Sequence, residues 1–254
     1  MQSDRELEPN ESDPQLEEGT GKGLVSCVLA TRNRPGFVRQ ALRCYQRQSY
    51  RPRELVVVDD GEQPVEDLCL GQPGVRYVRL SEFTLLGAKL NLGIERCRGS
   101  IIQKLDDDDY YHPAFLECGV TRLDAVDTVV AWDCFLILIA ADGCLRRSGH
   151  GWAAGGTLCF HRELWRHTPF RDVPSRVDHW FLTDTGHRIR RVCEPELYVL
   201  VRHGGNTWRA VGDCYSVDDY LRQRRPYHKS LHDVIEPADW AFYDALARGE
   251  TVPG

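Results

Sequence analysis

IIQKLDDDD, residues 101–109, passes from an apolar run into four consecutive carboxylates, Asp106 to Asp109. Ile101 to Leu105 has the composition of a strand buried on both faces. The four acids repel one another, so they belong where the strand leaves the core. In open α/β sheets ligands bind outside the carboxyl ends of the strands. Carboxylates placed there make a hard-oxygen site for Mg²⁺ or Mn²⁺, and such an ion would hold a diphosphate.

Upstream, two more apolar runs end in polar clusters. Val25 to Ala30 leads into Thr31–Pro35, and Glu54 to Val58 ends at Asp59, Asp60 and Gly61. Between them Phe37/Ala41/Tyr45 and Val38/Leu42 recur at helical spacing. A third strand is expected at Val75–Leu80, then a helix in which Leu86, Leu90 and Ile94 repeat every fourth residue. This alternation predicts an α/β fold whose central, mostly parallel sheet is flanked by helices.

Downstream the pattern changes. A helix is expected through Phe115–Leu123, one strand over Val129–Ile139, a turn at Ala141–Gly143 with a return strand, and short strands at Thr157–Phe160 and Glu196–Val201. This half is smaller and more antiparallel. Arg162–His167 reads as a short helix, and Val177–Thr183 as the start of another. The expected organisation is an acidic disordered tail over 1–23, a domain over 24–208 (halves 24–113 and 114–208), and a C-terminal extension over 209–254 whose signals are weak.

The chain has 254 residues, 42% hydrophobic and 28% charged, enough for one large core. Its net charge is −6, but seven acids against Arg5 and Lys22 in the first 23 residues supply −5 of it. The remainder is near neutral, which excludes nucleic acid as the main partner. The ten cysteines are scattered without a C-x-x-C pair and read as reduced thiols. With an acidic opening in place of a signal peptide, a cytoplasmic location is expected, with peripheral membrane contact left open. The longest apolar run, Thr128 to Ala140, contains Asp133 and is too short to span a bilayer.

VSCVLATRNRP (25–35), ELVVVDDG (54–61), GAKLNLG (87–93), LDDDDYYHP (105–113) and GGTLCFHRELW (155–165), in this order and spacing, resemble the family 2 glycosyltransferases of the A-type fold. The resemblance covers about Leu24 to Trp208. It implies a nucleotide-sugar donor, a divalent metal (Mn²⁺ or Mg²⁺) and inverting transfer to an acceptor hydroxyl on a glycan, lipid-linked sugar, small molecule or peptide, with UDP the default nucleotide. Thr31 and Arg32 match the loop that touches the nucleotide, Asp59 or Asp60 the acid that pairs with the base edge, and Lys89 and Asn91 the helix that approaches ribose and phosphate. Asp106 and Asp108 occupy the Asp-x-Asp positions, for ribose and metal, with Asp109 as an understudy ligand and Asp107 replaceable. Asp178 falls at the catalytic base and His203 where a late histidine reaches metal or diphosphate. Two positions depart from the family's pattern: Leu90 stands where an arginine is frequent, and Val177 precedes the base in place of a glutamate.

The chemistry suits these groups. Breaking the bond from C1 to a phosphate oxygen builds negative charge on the diphosphate, which a cation stabilises. A single base on the opposite face is what inversion in one displacement requires. Trp152, Trp180 and Trp208 are candidate stacking surfaces for sugar or base. The alternatives are a sugar nucleotidyltransferase, which would want a phosphate-cradling glycine-rich loop after the first strand, and a non-catalytic sugar-nucleotide-binding module.

Overall fold

A computed structural model describes residues 23–184, 186, 188–208, 210–211, 215–250 and 252. The expected acidic tail therefore lies outside the described residues, apart from Gly23. The first half alternates strand and helix: β1 (Val25–Thr31), α1 (Pro35–Gln46), β2 (Arg53–Asp59), the short α2 (Glu66–Cys69), β3 (Val75–Arg79), α3 (Leu86–Glu95) and β4 (Ile101–Leu105). β1, β2 and β4 are continuously apolar at their centres because both faces are covered. Parallel strands need a crossover, which α1 and α3 provide on opposite faces.

One face of the sheet packs Leu29, Val57 and Leu105 with Val38, Ala41 and Tyr45 of α1. The other packs Val28, Val56 and Val58 with Leu90 and Ile94 of α3. Gly93 lets α3 come close. A Cβ there would sit 2.6 Å from Val28 Cγ1 and 3.0 Å from Val58 Cγ2.

The second half contributes β5 (Tyr110–Tyr111), α4 (Phe115–Val120), β6 (Thr128–Cys134), β7 (Leu136–Ile139), β8 (Cys144–Arg147), β9 (Cys159–His161), α5 (Arg162–His167), α6 (Val177–Asp184), β10 (Arg188–Cys193) and β11 (Tyr198–Arg202). A two-stranded ribbon, β12 (Ala210–Val211) and β13 (Tyr215–Ser216), precedes α7 (Val217–Arg222) and α8 (Trp240–Ala247). The large sheet runs β10-β6-β9-β4-β1-β2-β3, and only β9 is antiparallel to its neighbours. A smaller sheet runs β5-β11-β7-β8, with two of its three pairings antiparallel.

The strand expected over Val129–Ile139 is two strands in two sheets. The break falls at Phe135, whose backbone N–H donates to the Ser148 hydroxyl at 2.9 Å. β10 was not foreseen, because half of RIRRVC is arginine and the strand sits at the sheet's edge.

Strand order reverses at β1, which lies between β2 and β4. Thr31 is level with Asp59, and Leu29 with Leu105. Three polar strand ends therefore open on one rim, the location of the ligand crevice in open α/β sheets.

Candidate active site

The four aspartates leave β4 in four different environments. Asp106 takes the Lys104 ammonium at 2.6 Å, and its backbone N–H donates to the Tyr111 hydroxyl at 2.7 Å. Asp107 turns toward β1, accepting from Thr31 Oγ1 at 2.7 Å and Arg34 Nη1 at 2.8 Å. Asp108 accepts through Oδ2 from Arg34 Nη1, His203 Nε2 and Asn206 Nδ2, each at 3.0 Å. Asp109 lies inside, bonded by the Tyr198 hydroxyl at 2.5 Å and the Val201 N–H at 2.8 Å.

Their proton affinities separate accordingly. Burial raises Asp106, against the pull of Lys104. Burial and the neighbouring Asp108 push Asp107 up to about 6 and Asp109 well above the carboxylate range. For Asp108 burial is outweighed by the His203 hydrogen bond and the Arg34 charge, which lower it. Asp108 is the acid held most firmly as an anion.

Lys104 is fully enclosed on β4 and reaches two carboxylates, Asp106 and, at 3.4 Å, Asp178 Oδ1. Burial would depress its ammonium, but Asp106 and Asp178 outweigh that and raise it. Asp178 arrives on the first turn of α6 and lies over Gly155, where a Cβ would stand 2.1 Å from Oδ2. At Gly156 a Cβ would meet Asp106 Oδ2 at 2.8 Å and Asp109 Oδ2 at 3.0 Å. The paired glycines are thus the floor on which three acids converge. Asp178 Oδ1 is buried and accepts no hydrogen bond.

On the neighbouring strand end, Asp60 accepts from Lys89 Nζ at 2.8 Å and from the Thr84 N–H at 2.8 Å, and Lys89 also donates to the Thr31 carbonyl at 3.1 Å. The Lys89 and Thr84 bonds outweigh burial and lower Asp60. Arg32 donates to the Asp60 carbonyl at 2.9 Å and lies 5.0 Å from the centre of the exposed Phe83 ring.

Thr31, Arg32, Asp60, Lys89, Asp106, Asp108, Asp178 and His203 therefore line the same rim. Asp59 and Asn91 do not face it. Asp59 is fully buried and spends its carboxylate on Gly61 N–H, Val65 N–H and the Tyr77 hydroxyl, closing the turn after β2. Asn91 points from α3 to the Phe170 backbone, at 2.8 and 3.0 Å, and to Trp165 Nε1 at 2.8 Å. Asp109 is enclosed, and Asp107, expected to be replaceable, clasps the β1 exit loop. Trp180 stacks under Arg171 at 4.4 Å, and Trp152 packs edge-on against Phe135 and Trp208.

Sequence reasoning missed Lys104 and Arg34. The signal for Lys104 was present: a cation inside an apolar strand next to four acids. Arg34 carried none beyond its place in TRNRP.

For a divalent cation, the ionised Asp108 and the partly exposed Asp106 have the right chemistry, since Mg²⁺-type ions take one or two carboxylates and complete their shell with phosphate and water. His203 is arranged differently. Its Nδ1 accepts from the Gly205 N–H at 3.2 Å, which leaves the proton on Nε2, facing Asp108. As placed, it is a donor to the carboxylate, and ligation through Nε2 would require the other tautomer.

A family model described as glycosyl transferase family 2 matches residues 26–170, more than half of the chain. The chain belongs to that family. Among curated relatives of this family 2 chain, the UDP-Gal:alpha-D-GlcNAc-diphosphoundecaprenol beta-1,3-galactosyltransferase of Escherichia coli is 27% identical over 108 residues, 41% of this chain and 39% of the relative. The uncharacterized glycosyltransferase YwdF of Bacillus subtilis is 30% identical over 108 residues, 41% of this chain and 40% of its own length. The chain thus spans about two fifths of these relatives.

Among solved structures, S. aureus TarS 1–349 in complex with UDP-GlcNAc superposes with TM-score 0.55 at 17% identity, covering 72% of this chain and 60% of that one. The mannosyltransferase PcManGT of Pyrobaculum calidifontis, in complex with GDP-Man and Mn²⁺, gives 0.56 at 19% identity, covering 76% and 59%. The fold is the A-type glycosyltransferase fold. Asp178 and His203 lie beyond the residues matched by the family model.

Proposed function

We propose that this chain transfers a sugar, with inversion, from a nucleoside diphosphate sugar to an acceptor hydroxyl on a glycan, lipid-linked sugar, small molecule or peptide. The observation that carries this reading is the buried ammonium of Lys104 between Asp106 and Asp178, at 2.6 and 3.4 Å. It sets an acid of the Asp-x-Asp pair and the candidate base side by side on one rim.

Asp108, with Asp106 beside it, would hold Mn²⁺ or Mg²⁺, and the ion would supply positive charge to the departing diphosphate. Lys89 and Arg32, tied to Asp60 and Thr31, orient the nucleotide end of the donor. Arg34 bridges Asp107 and Asp108, so it fixes the loop beside the diphosphate. Asp178 removes the acceptor proton. Its Oδ1 is enclosed beside Lys104, so Oδ2 is the oxygen that meets an incoming hydroxyl. Lys104, 3.4 Å from Oδ1, holds the carboxylate in place beside Asp106. No second carboxylate is needed as nucleophile. UDP is the preferred nucleotide, because the E. coli relative is named for UDP-Gal and the TarS neighbour holds UDP-GlcNAc.

The test is a comparison of wild type with Asp178→Asn. UDP with Mn²⁺ should raise the melting temperature of both equally, more than GDP does. Release of UDP from a UDP-sugar in the presence of acceptor should fall about 10²–10⁴-fold in the variant. Unchanged turnover overturns the base assignment, and stabilisation by GDP alone overturns the choice of UDP.

A further inference from the structure

Cys134 and Cys193 are far apart in sequence but lie side by side in the large sheet. β10 runs parallel to β6 in register, with Val192 beside Trp132, and then slips by one residue so that Cys193 falls beside Cys134. The bulge skips Asp133. Folding thus pairs two of the described cysteines, Cys134 and Cys193, that the sequence scatters.

A third group joins them. The loop after β8 carries His150 back over the break between β6 and β7. It is pinned on one side by Ser148, which accepts from the Phe135 N–H at 2.9 Å, and on the other by the Gly151 N–H, which reaches Asp133 Oδ2 at 3.5 Å. Gly151 has φ +91°, a conformation that favours glycine. Among the described residues, Cys134, His150 and Cys193 are the one group of three that offers metal-ligand atoms all within 4.8 Å of one another.

The surroundings suit two thiolates and an imidazole. Arg147 of β8 donates to Cys134 Sγ through Nη2 at 2.9 Å and Nε at 3.1 Å, and lies 3.6 Å from Cys193 Sγ. A guanidinium there offsets the charge of two adjacent sulfurs. The Asp133 carboxylate stands 3.9 Å from His150 Nδ1. Cys134 is buried, whereas Cys193 and His150 are exposed, so an ion has a path in and a fourth position open to water.

We propose that Cys134, His150 and Cys193 form a Zn²⁺ site, separate from the aspartate rim, that ties the edge strand β10 to the loop leading into Gly155. Thiolate and imidazole ligands select borderline-soft ions such as Zn²⁺ over the Mg²⁺ and Mn²⁺ that carboxylates prefer. Tetrahedral Zn²⁺ sets such ligand atoms about 3.6–3.8 Å apart, so the group closes by at most about 1 Å. Binding releases the two thiol protons to solvent, and no other bond is made or broken.

The reduced, metal-free full chain is titrated with Co²⁺. One equivalent should bind with a thiolate-to-cobalt charge-transfer absorption, which carboxylate sites cannot produce, and Zn²⁺ should abolish it. Cys193→Ser and His150→Ala should each weaken binding more than about 10-fold. Cys144→Ser, which removes an exposed cysteine outside the group, should leave it unchanged. Both test ligands are exposed, so the outcome does not depend on refolding a buried Cys134 variant. Absence of the absorption, its persistence in Cys193→Ser, or a Cys134–Cys193 disulfide that survives metal saturation overturns the site.

Discussion

Lys104 stands in a five-residue strand otherwise made of Ile101, Ile102, Gln103 and Leu105, and it is 2% exposed. An ammonium is tolerated there only because Asp106 and Asp178 both face it; unpaired, it would shed its proton or unfold the strand. Replacing it removes the one charge that keeps those two acids together. Lys104→Met should lower turnover by about 10²-fold and move the acid limb of the pH–rate profile to higher pH, because the Lys104 charge is what pulls down the buried Asp106. A profile that keeps its acid limb while only stability falls would make Lys104 structural alone. At this scale the sequence told a partial truth. Thr31, Asp60, Asp106 and Asp108 reach one rim because a strand end fixes where its next residues go, and Asp178 joins them from the first turn of α6. Asp59 and Asn91 carry the same chemical groups, but their partners, Gly61 and Phe170, are set by turns that no local pattern announces.

At the scale of strands and helices, the apolar centres of β1, β2 and β4 were legible because burial on both faces leaves no alternation to misread. β10 was not, since an edge strand tolerates arginines, and the β6–β7 break was invisible because apolar residues continue through it. The bend is made by Ser148, a tertiary partner. The start of β2 shows how one side chain holds three elements. Glu54, 1% exposed, accepts from the Ser26 hydroxyl of β1 at 2.6 Å and from the Arg98 N–H at 2.6 Å and Arg98 Nε at 2.9 Å after α3, with Arg76 of β3 at 3.1 Å. Burial would raise Glu54, but the Ser26 and Arg98 hydrogen bonds and the Arg76 charge outweigh it and lower it. A carboxyl lowered by folding adds stability above its unfolded value and loses it as pH falls through the folded one. Glu54→Gln should therefore cost about 2 kcal/mol at pH 7, at the low side for a buried pair because both arginines are partly exposed. Denaturant melts should show this gap narrowing as the pH drops below about 4, the ordinary glutamate range. A gap that stays constant to the acid transition would mean that the amide lost packing, not charge.

Across the whole molecule, the segment after Trp208 gave only weak signals in sequence, yet α8 belongs to the same core as the strand that carries the acids. Asp239, fully buried before α8, accepts from Gln40 Nε2 of α1 at 2.6 Å and is also paired with Arg47. Tyr243 packs edge-on against Tyr110, directly after the acidic run. Phe242 meets Phe37 of α1 edge-on at 5.8 Å, Phe37 stacks on His203 at 4.4 Å, and His203 bonds Asp108. A line of rings thus connects the C-terminal helix to the acid held most firmly as an anion. Phe242→Ala should cost about 3 kcal/mol of stability, as truncation of a buried ring does. It should also free Phe37 and His203, and so weaken Mn²⁺-dependent nucleotide binding in titrations at a temperature where the variant is still folded. Leu246→Ala, one turn further along α8 and also buried, is the matched control for the loss of stability. Equal loss of nucleotide affinity in both variants would reduce the effect to general loosening of α8. Loss confined to Phe242→Ala would mean that the helix farthest along the chain sets the position of His203 through the ring between them.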